Sequence, residues 1–445
     1  MPISGADEPL PCFEIAIAGG AVIRTPADIR LMTPYILLEQ EDWFEEETGF
    51  LRRIVRPGMT AIDIGANYGV YAATLAASVG PQGKVLAIEP ASATARYLRA
   101  TLSGFSNTKQ LQAALGDAEG EATLVVADNA ETNRLVDTVS ADEQVETVPL
   151  RRLDDVAPEF EIAAPDFIKL DAEGAETAIL SGAEELLKTA DPLIMFERKH
   201  GASVNTGLID AFTELGFNLY QLLPGPGVLA PYDPNRTDAF GLNLFAAKPG
   251  RAKTLAEADH LISDWPTLPD EAKASTAVLE LLGQAASFAQ AAEAAGDDGK
   301  ALMPLLGFAR ASRALGLRSP AIEALGRALM LLQSGKAELD PAGPPPDADF
   351  DTTPEIARDM TWITAATVTA YERARNYSSY FTDQSTLPLL DRLRETPYAL
   401  PEMLRRRQLM QVRAGQRNRL DWEKAFNEIS ILNSAIWRGE TGLGL

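Results

Sequence analysis

Two patterns of apolar and polar positions divide this chain. Between residue 60 and about residue 247, short apolar runs alternate with longer amphipathic segments, which is typical of a parallel sheet covered by helices on both faces. Apolar runs within residues 117–150 predict further antiparallel strands at a sheet edge. The main pattern predicts seven strands, at residues 60–64, 84–89, 110–115, 166–171, 192–197, 217–222 and 241–247.

The residues before this region predict a smaller element. The sequence FEIAIAGGAVI has the alternation of a β-hairpin with a glycine turn. The sequence YILLEQEDWFEEETGFLRRIV has the spacing of one amphipathic helix that ends at Pro57 and Gly58. We expect residues 1–57 to form a hairpin and a helix that pack on an α/β domain of residues 58–250, where they could close over a ligand.

After residue 249, β-branched runs disappear and apolar residues recur at helical spacing. Residues 251–445 are therefore predicted to form a separate all-α domain. Two of its helices, joined by a short glycine-containing turn, resemble one tetratricopeptide hairpin, although a repeat array needs about three such units. A Pro-rich acidic loop is predicted at 339–353, and an arginine-rich stretch at 392–419 favours a solvated helix face, with an anionic ligand or partner surface as the alternative. The predicted helices are 274–295, 301–315, 320–333 and 356–375.

The composition of the chain excludes several classes of function. The formal net charge of −23 argues against nucleic acid as a partner, because phosphate-backbone binding relies on an excess of Lys and Arg. Cys12 is the single cysteine, which excludes an internal disulfide and a cysteine-based zinc site. No apolar run reaches the roughly 18 residues of a membrane span, and the first residues are acidic rather than a basic and apolar leader. We therefore expect a cytoplasmic protein.

The strongest motif is TAIDIGANYGVYAATLAA, an apolar strand, a glycine-containing turn and a helix of small residues. Glycines at such a turn let the backbone bend sharply and approach a ligand. Glu89 ends the next strand, 20 residues after Gly69, where an acid can accept hydrogen bonds from both ribose hydroxyls of a nucleoside. The candidate cofactor-binding residues in this region are Asp63, Gly65, Asn67, Gly69 and Glu89.

The spacing in the turn favours one cofactor. Dinucleotide sites use G-x-G-x-x-G to hold a pyrophosphate, whereas this turn is G-A-N-Y-G. S-adenosylmethionine carries no phosphate, and Asp63 and Asn67 could serve its amino-acid tail. A nicotinamide-dependent oxidoreductase is the less favoured alternative. Asp117, just after the third predicted strand, could contact the adenine amino group, or it could simply complete a turn with Gly116.

The ends of the fourth and fifth strands carry the candidate catalytic residues Asp171, Glu197 and His200, because ligands of open α/β sheets bind beyond the carboxyl ends of the strands. An acceptor that must lose a proton needs a base, and a histidine or a carboxylate of raised pKa suits that task. Asp171 could act as the base, orient the acceptor, or bind a divalent metal with Glu197. Carboxylates without imidazole clusters would suit magnesium, but we expect no metal.

Several motifs together resemble one known family. The runs DIGANYG, IEP, ALGDAEG, DFIKLDAEGAETAILSGA, PLIMFERKH and FGLNLFAAKP occur in the order of the FkbM-type methyltransferases, a class I S-adenosylmethionine-dependent family, over about residues 35–250. The resemblance implies methyl transfer to a hydroxyl, often on a sugar or polyketide, and a seven-stranded Rossmann-like sheet with an antiparallel last strand. Its motifs correspond to the cofactor loop at Asp63, Gly65, Asn67 and Gly69, the ribose acid at Glu89, and a second acidic motif at Asp171, Glu173 and Glu176.

The sequence therefore predicts an O-methyltransferase that acts on a hydroxyl of a glycan or related metabolite. The start of a helix attracts negative charge, so Glu173 and Glu176 could equally be capping residues. The alternative function is a methyltransferase-like binding module that no longer catalyses and whose helical domain recruits a protein or glycan. The helical domain could present substrate, bind a protein partner or mediate self-association.

Overall fold

A computed structural model of the chain divides into two compact units by the density of its internal contacts. The first unit holds the described residues up to Phe217 together with Ala246–Lys248, and the second holds Asn218–Phe245 and the described residues from Pro249 onward. The second unit thus includes 218–245, which the sequence pattern assigned to the domain 58–250; the predicted domain boundaries remain a prediction. The structure describes residues 11–127, 129–136, 138–140, 143–200, 203–204, 206–238, 240–265, 276–296, 298–339, 360–382 and 401–415.

The chain alternates strands and helices before residue 258, and the elements among the described residues after that point are helices. The strands are β1 Cys12–Ala16, β2 Val22–Pro26, β3 Thr60–Ile64, β4 Lys84–Ile88, β5 Thr108–Leu111, β6 Ala114–Leu115, β7 Gly120–Val125, β8 Arg134–Val136, β9 Val145–Arg151, β10 Phe167–Leu170, β11 Leu193–Glu197, β12 Lys199–His200, β13 Ser203–Val204, β14 Asn218–Leu223, β15 Val228–Pro231 and β16 Asn243–Ala247. The helices are α1 Met32–Gln40, α2 Glu46–Ile54, α3 Val70–Val79, α4 Ser92–Leu102, α5 Leu153–Glu159, α6 Glu176–Ser181, α7 Glu184–Thr189, α8 Thr206–Glu214, α9 Pro249–Glu257, α10 Thr276–Ala295, α11 Leu302–Ala314, α12 Arg318–Ser334, α13 Met360–Asn376 and α14 Pro401–Arg413.

The main sheet is mixed and mostly parallel. Its strand order is β15-β14-β16-β11-β10-β3-β4-β5, so β16, the last in the chain, is inserted between earlier strands. The five strands from β11 to β5 pair in parallel, and the apolar residues of β11, β10, β3 and β4 are buried on both faces of the sheet. This topology confirms the Rossmann-like α/β class. The sheet has eight strands rather than seven, because β15 returns antiparallel beside β14.

The third predicted strand, 110–115, is divided between two sheets. β5 ends at Leu111, and Ala114–Leu115 pairs instead with β9 in a separate sheet of order β6-β9-β7-β8. The two apolar runs predicted to form extra strands are β7 and β9, which pair antiparallel. They belong to this separate sheet, whereas the sequence placed them at the edge of the main one.

The N-terminal hairpin is present as the antiparallel pair β1 and β2, but the predicted single helix is two helices. The break begins at Glu41, which has a left-handed backbone with φ of +55°. A continuous helix would stack Glu41 on Glu45 and Asp42 on Glu46, and like charges four residues apart repel. In the broken form, Asp42 accepts two hydrogen bonds from Arg52 at 2.6 and 2.7 Å.

The second unit contains the helices predicted after residue 249. Helices α10 to α13 pack in sequence, and Trp362 lies fully buried in their common core. The β14–β15 hairpin belongs to this unit because Leu223 and Val228 share a small core with Val278 and Leu315. The predicted Pro-rich loop lies outside the described residues from position 340 onward. In the part of the chain that the structure describes, no helix combines the length and the apolar character of a membrane span.

The arginine-rich stretch differs from the interpretation as a solvated helix face. Its described part, α14, buries Arg405, Arg406 and Arg407. Arg406 donates a hydrogen bond to Glu372 of α13, and both side chains are almost completely inaccessible. That interpretation is therefore wrong for these three residues, because sequence spacing shows which residues share a helix face but not what covers that face.

Candidate active site

The turn between β3 and α3 depends on two glycines. Gly65 has a φ of +75°, and a Cβ there would lie 1.7 Å from the backbone oxygen of Asp171. Gly69 has a φ of +91°, and a Cβ there would lie 2.8 Å from Leu98 Cδ1. Both residues thus occupy a left-handed conformation in places with no room for a side chain. The structure therefore gives a packing reason for both predicted glycines.

Glu89 holds the same turn from the end of β4. Its Oε2 accepts a hydrogen bond from the backbone N–H of Asn67, and its Oε1 accepts one from Ala91, both at 3.0 Å. The residue is 5% exposed, and burial raises its pKa to about 7 although the two amides act in the opposite direction. A carboxylate oxygen can accept a second hydrogen bond, so each oxygen of Glu89 retains one acceptor position.

Asp63 has a partner that the sequence did not indicate, Lys169 of β10. The two residues face each other across the parallel β3–β10 pair, and Lys169 Nζ lies 4.0 Å from Asp63 Oδ1. Asp63 has no exposed surface, and burial raises its pKa to about 6. Lys169 and the backbone amide of Ala72, which does not reach hydrogen-bond geometry, offset part of that rise. A ligand could touch Asp63 directly only if the turn moved.

Lys169 is itself buried between two carboxylates. Its Nζ donates a hydrogen bond to Asp171 Oδ2 at 2.8 Å and lies 5.0 Å from the centre of the Tyr71 ring. Burial acts to lower the pKa of this ammonium, but Asp171 and Asp63 outweigh burial and raise it. The sequence signal was a single lysine inside the apolar run DFIKLD, which the motif analysis did not single out.

Three carboxylates gather where β10 and β11 end. Asp171, Glu173 and Glu197 each offer an oxygen, and these oxygens lie within 4.8 Å of one another. Burial, followed by the charge of Asp171, raises the pKa of Glu173 to about 7 and that of Glu197 to about 8. This spacing could hold a divalent cation, but acidic groups also commonly lie this close without one. The arrangement equally suits a base of raised pKa beside an ionised carboxylate.

Two further acids frame the cluster. Glu176 accepts hydrogen bonds from the backbone N–H groups of Ala172 and Gly174, which precede α6, so it shapes the turn before that helix and its capping role stays a prediction. Glu45, immediately before α2, accepts a hydrogen bond from the Tyr71 hydroxyl. The Tyr71 ring centre in turn lies 5.0 Å from the ammonium of Lys169, which donates to Asp171, so Glu45 is linked to the acidic cluster through these two side chains. Neither Tyr71 nor Glu45 was predicted, because their contact joins elements that are far apart in the pattern.

Asp117 is not joined to this group by any hydrogen bond or ion pair among the described residues, and the position of His200 is given by its backbone pairing. His200 lies in β12, three residues after Glu197, and pairs with Ser203 of β13. Asp117 is exposed and follows β6, which belongs to the separate sheet. Their predicted roles at the acceptor and at the adenine remain predictions.

The residues around the β3–α3 turn fit the polar groups of S-adenosylmethionine. Asn67 Oδ1 is buried and has no donor among the described residues, so it can accept a hydrogen bond from a ligand. Glu89 keeps one acceptor position on each oxygen, which suits the two hydroxyls of a ribose. Gly65 brings this turn against the end of β10, so the acidic cluster adjoins the same turn.

Comparison with known proteins identifies the central segment. Residues 63–219 match the family model described as the methyltransferase FkbM domain. This confirms the resemblance drawn from the sequence motifs, within the range 35–250 over which they occur. The chain is also similar to the AMB antimetabolite synthetase AmbE of Pseudomonas aeruginosa, at 26% identity over 46% of this chain. The similarity spans only 11% of the length of that relative.

Solved methyltransferases share part of the architecture. A methyltransferase FkbM from Methylobacillus flagellatus is 19% identical, with 42% of this chain and 43% of that one covered, at a TM-score of 0.30. A S-adenosylmethionine-dependent methyltransferase from Aquifex aeolicus is 14% identical, with 48% of this chain and 91% of that one covered, at a TM-score of 0.28. At such scores these likenesses add no argument to the family match.

Proposed function

We propose that this chain, which carries an FkbM methyltransferase domain at residues 63–219, transfers the methyl group of S-adenosylmethionine to a hydroxyl of a glycan or related metabolite. The observation that carries the proposal is the contact between the two halves of the site. The cofactor turn, held by Glu89, packs through Gly65 directly on Asp171 of the acidic cluster. A nucleoside at the turn and an acceptor at the cluster would therefore be neighbours, which methyl transfer requires.

The bound cofactor would supply an electrophilic methyl group on a sulfonium. In the proposal, Glu89 accepts hydrogen bonds from the ribose hydroxyls, and Asn67 Oδ1 accepts one from the amino-acid tail. Asp117 is the proposed contact of the adenine. Asp63 supports the turn from below through Lys169, because it has no exposed surface with which to touch the cofactor itself.

The acceptor side must remove a proton from a hydroxyl and hold the oxygen in line with the methyl group. Positioning of this kind contributes much of the rate of a displacement reaction. A base contributes typically about 10²–10⁴-fold. Glu197 is partly buried among other carboxylates, and its pKa of about 8 suits proton acceptance near neutral pH. Asp171 and His200 complete the proposed acceptor site, in which no step depends on a metal.

Cofactor binding is tested by calorimetry with S-adenosylhomocysteine on the full chain. We expect binding in the wild type, an affinity at least about tenfold lower in Glu89→Ala, and no competition by NAD. Glu161→Ala is the matched control, because Glu161 is an exposed acid of the same unit that pairs with Lys84. Absence of binding in the wild type would contradict the proposal and favour the non-catalytic binding module.

The acceptor class is tested by transfer of a labelled methyl group from S-adenosylmethionine to a panel of glycans and hydroxylated metabolites. We expect incorporation that resists mild base, as an ether does, and that is lost in Asp171→Ala. Labelling confined to amines would refute O-methylation while keeping methyl transfer.

The proposal places the enzyme in the cytoplasm, because a single cysteine fits a reducing compartment. It includes no nucleic-acid partner, since the net charge is −23. The helical residues of the second unit would present the acceptor, bind a protein partner or mediate self-association. Light scattering of the full chain at several concentrations tests the last of these three roles.

A further inference from the structure

Lys169, the lysine beneath the acidic cluster, takes no part in the proton transfer or the cofactor contacts proposed above. Lys169 lies in β10, an inner strand of the main sheet with a parallel neighbour on each side, and is 5% exposed. Burying a cation is costly, and apolar residues of similar volume often replace a buried ion pair without loss of stability. The sheet alone therefore gives no reason for a lysine at this position.

The register places Lys169 below both sides of the proposed site. Successive side chains of a strand point to opposite faces, so Lys169 shares a face with Asp171 and with its parallel neighbour Asp63. Its ammonium lies 2.8 Å from Asp171 Oδ2 and 4.0 Å from Asp63 Oδ1. Asp63 is sealed below the turn, whereas the side chain of Asp171 is 39% exposed. Lys169 thus connects a buried carboxylate to one that substrate can reach.

Asp171 is held at three points. Its backbone N–H donates to the oxygen of Ile64 at 3.2 Å, its backbone oxygen rests against Gly65, and its Oδ2 accepts from Lys169. The first two contacts fix the main chain, and among the described residues Lys169 is the hydrogen-bond partner of the carboxylate. By contrast, no ion pair engages Glu197 among the described residues.

We propose that Lys169 is a positioning residue for the methyl transfer, because its ammonium anchors the Asp171 carboxylate at the acceptor side and leaves Glu197 as the proton acceptor. The role of Lys169 in methyl transfer rests on the proposed function, whereas its anchoring of the Asp171 carboxylate does not depend on that function. The anchored Asp171 side chain orients the acceptor hydroxyl, and the Glu197 carboxylate takes its proton. Lys169 itself touches no substrate.

Carboxyl labelling tests this placement without an acceptor. The full chain is treated with a water-soluble carbodiimide and glycine ethyl ester, and labelling at each acid is measured by mass spectrometry. We expect Asp171 to be protected in the wild type, and its labelling to rise at least about tenfold in Lys169→Met while labelling of exposed Glu161 stays constant. Lys84→Met is the matched control, since Lys84 forms an exposed ion pair in the same unit, and it should leave Asp171 protected.

Kinetics with the acceptor found by the methyl-transfer panel tests the consequence. We expect Lys169→Met and Asp171→Asn each to lower kcat about 30-fold or more with the KM for S-adenosylmethionine within about threefold, and the double variant to be no worse than either. Equal labelling of Asp171 with and without Lys169, or multiplicative losses in the double variant, would overturn the role. If Lys169→Met does not fold, the Asp63→Asn variant is compared with the Asp63→Asn/Lys169→Met double variant. Neither variant contains the buried Asp63 carboxylate, which Lys169→Met alone would leave without a cation.

The two proposals fail in distinguishable ways. A wild type that does not bind S-adenosylhomocysteine overturns the proposed function and, with it, a role for Lys169 in methyl transfer. A wild type that binds it and methylates, beside a Lys169→Met variant with protected Asp171 and unchanged kcat, overturns only the role of Lys169.

Discussion

At the scale of single residues, the geometry of the site depends on two positions where neighbouring atoms leave no room for a side chain. Gly65 and Gly69 were predicted from a motif for ligand approach, and both are also required by neighbouring protein atoms. Gly65 meets the backbone of Asp171, which cannot move aside as a flexible side chain could. The same contact joins the cofactor turn to the acidic cluster, so packing and proposed function coincide at this residue.

We expect Gly65→Ala to destabilise the protein by at least about 2 kcal/mol, since it combines a left-handed backbone with a steric clash. Gly58→Ala is the control, because Gly58 has a φ of +89° but open space around it and so incurs the backbone cost alone. Urea unfolding of both variants measures the difference. Equal losses in the free energy of unfolding would show that the close approach of Gly65 to Asp171 contributes nothing to the destabilisation.

At the scale of helices and strands, charged residues determine features that the spacing of apolar residues does not predict. The acidic run around Glu41 divides one predicted helix into α1 and α2, and the resulting segment brings Glu45 to Tyr71. In the second unit, Arg405, Arg406 and Arg407 of α14 are buried, although a run of arginines usually marks a solvated face. Arg406 is accommodated there because Glu372 accepts a hydrogen bond from it.

Glu372→Gln should destabilise the protein by about 3–5 kcal/mol, since it leaves the charge of Arg406 buried without its carboxylate. Glu184→Gln is the comparison, because Glu184 and Lys188 form an exposed pair that contributes at most about 1 kcal/mol. Thermal unfolding followed by circular dichroism distinguishes them. A melting temperature unchanged in Glu372→Gln would contradict the structural role of the buried pair.

At the scale of the whole molecule, the first unit concentrates carboxyl groups whose pKa values are raised by burial. They are about 6 at Asp63, about 7 at Glu89 and Glu173, and about 8 at Glu197. A raised pKa means that the folded state holds the proton more tightly than the unfolded chain, whose carboxyl groups titrate near pH 4. The stability that this contributes is fully present below pH 4 and is lost as pH rises through 6 to 8.

We therefore expect the melting temperature of the ligand-free protein to fall by about 4 °C or more between pH 5.5 and pH 8.5, which corresponds to about 1–2 kcal/mol. Glu197→Gln should flatten the part of this dependence above pH 7, because that carboxyl titrates last. Differential scanning calorimetry at constant ionic strength measures both. A melting temperature that rises with pH would mean that these carboxyls are not the dominant titrating groups.

The sequence by itself determined the features that depend on neighbours along the chain: the parallel strands, the helical second half, and the glycine turn with Glu89. Strand periodicity and turn chemistry are local, so they can be read in one chain without its fold. Only the tertiary structure decided that Ala114–Leu115 leaves the main sheet, that α14 buries three arginines in a row, and that Lys169 lies between Asp63 and Asp171. Those outcomes depend on the pairing of strands and helices remote in sequence, and a charged side chain acquires its partner only when that pairing sets the register.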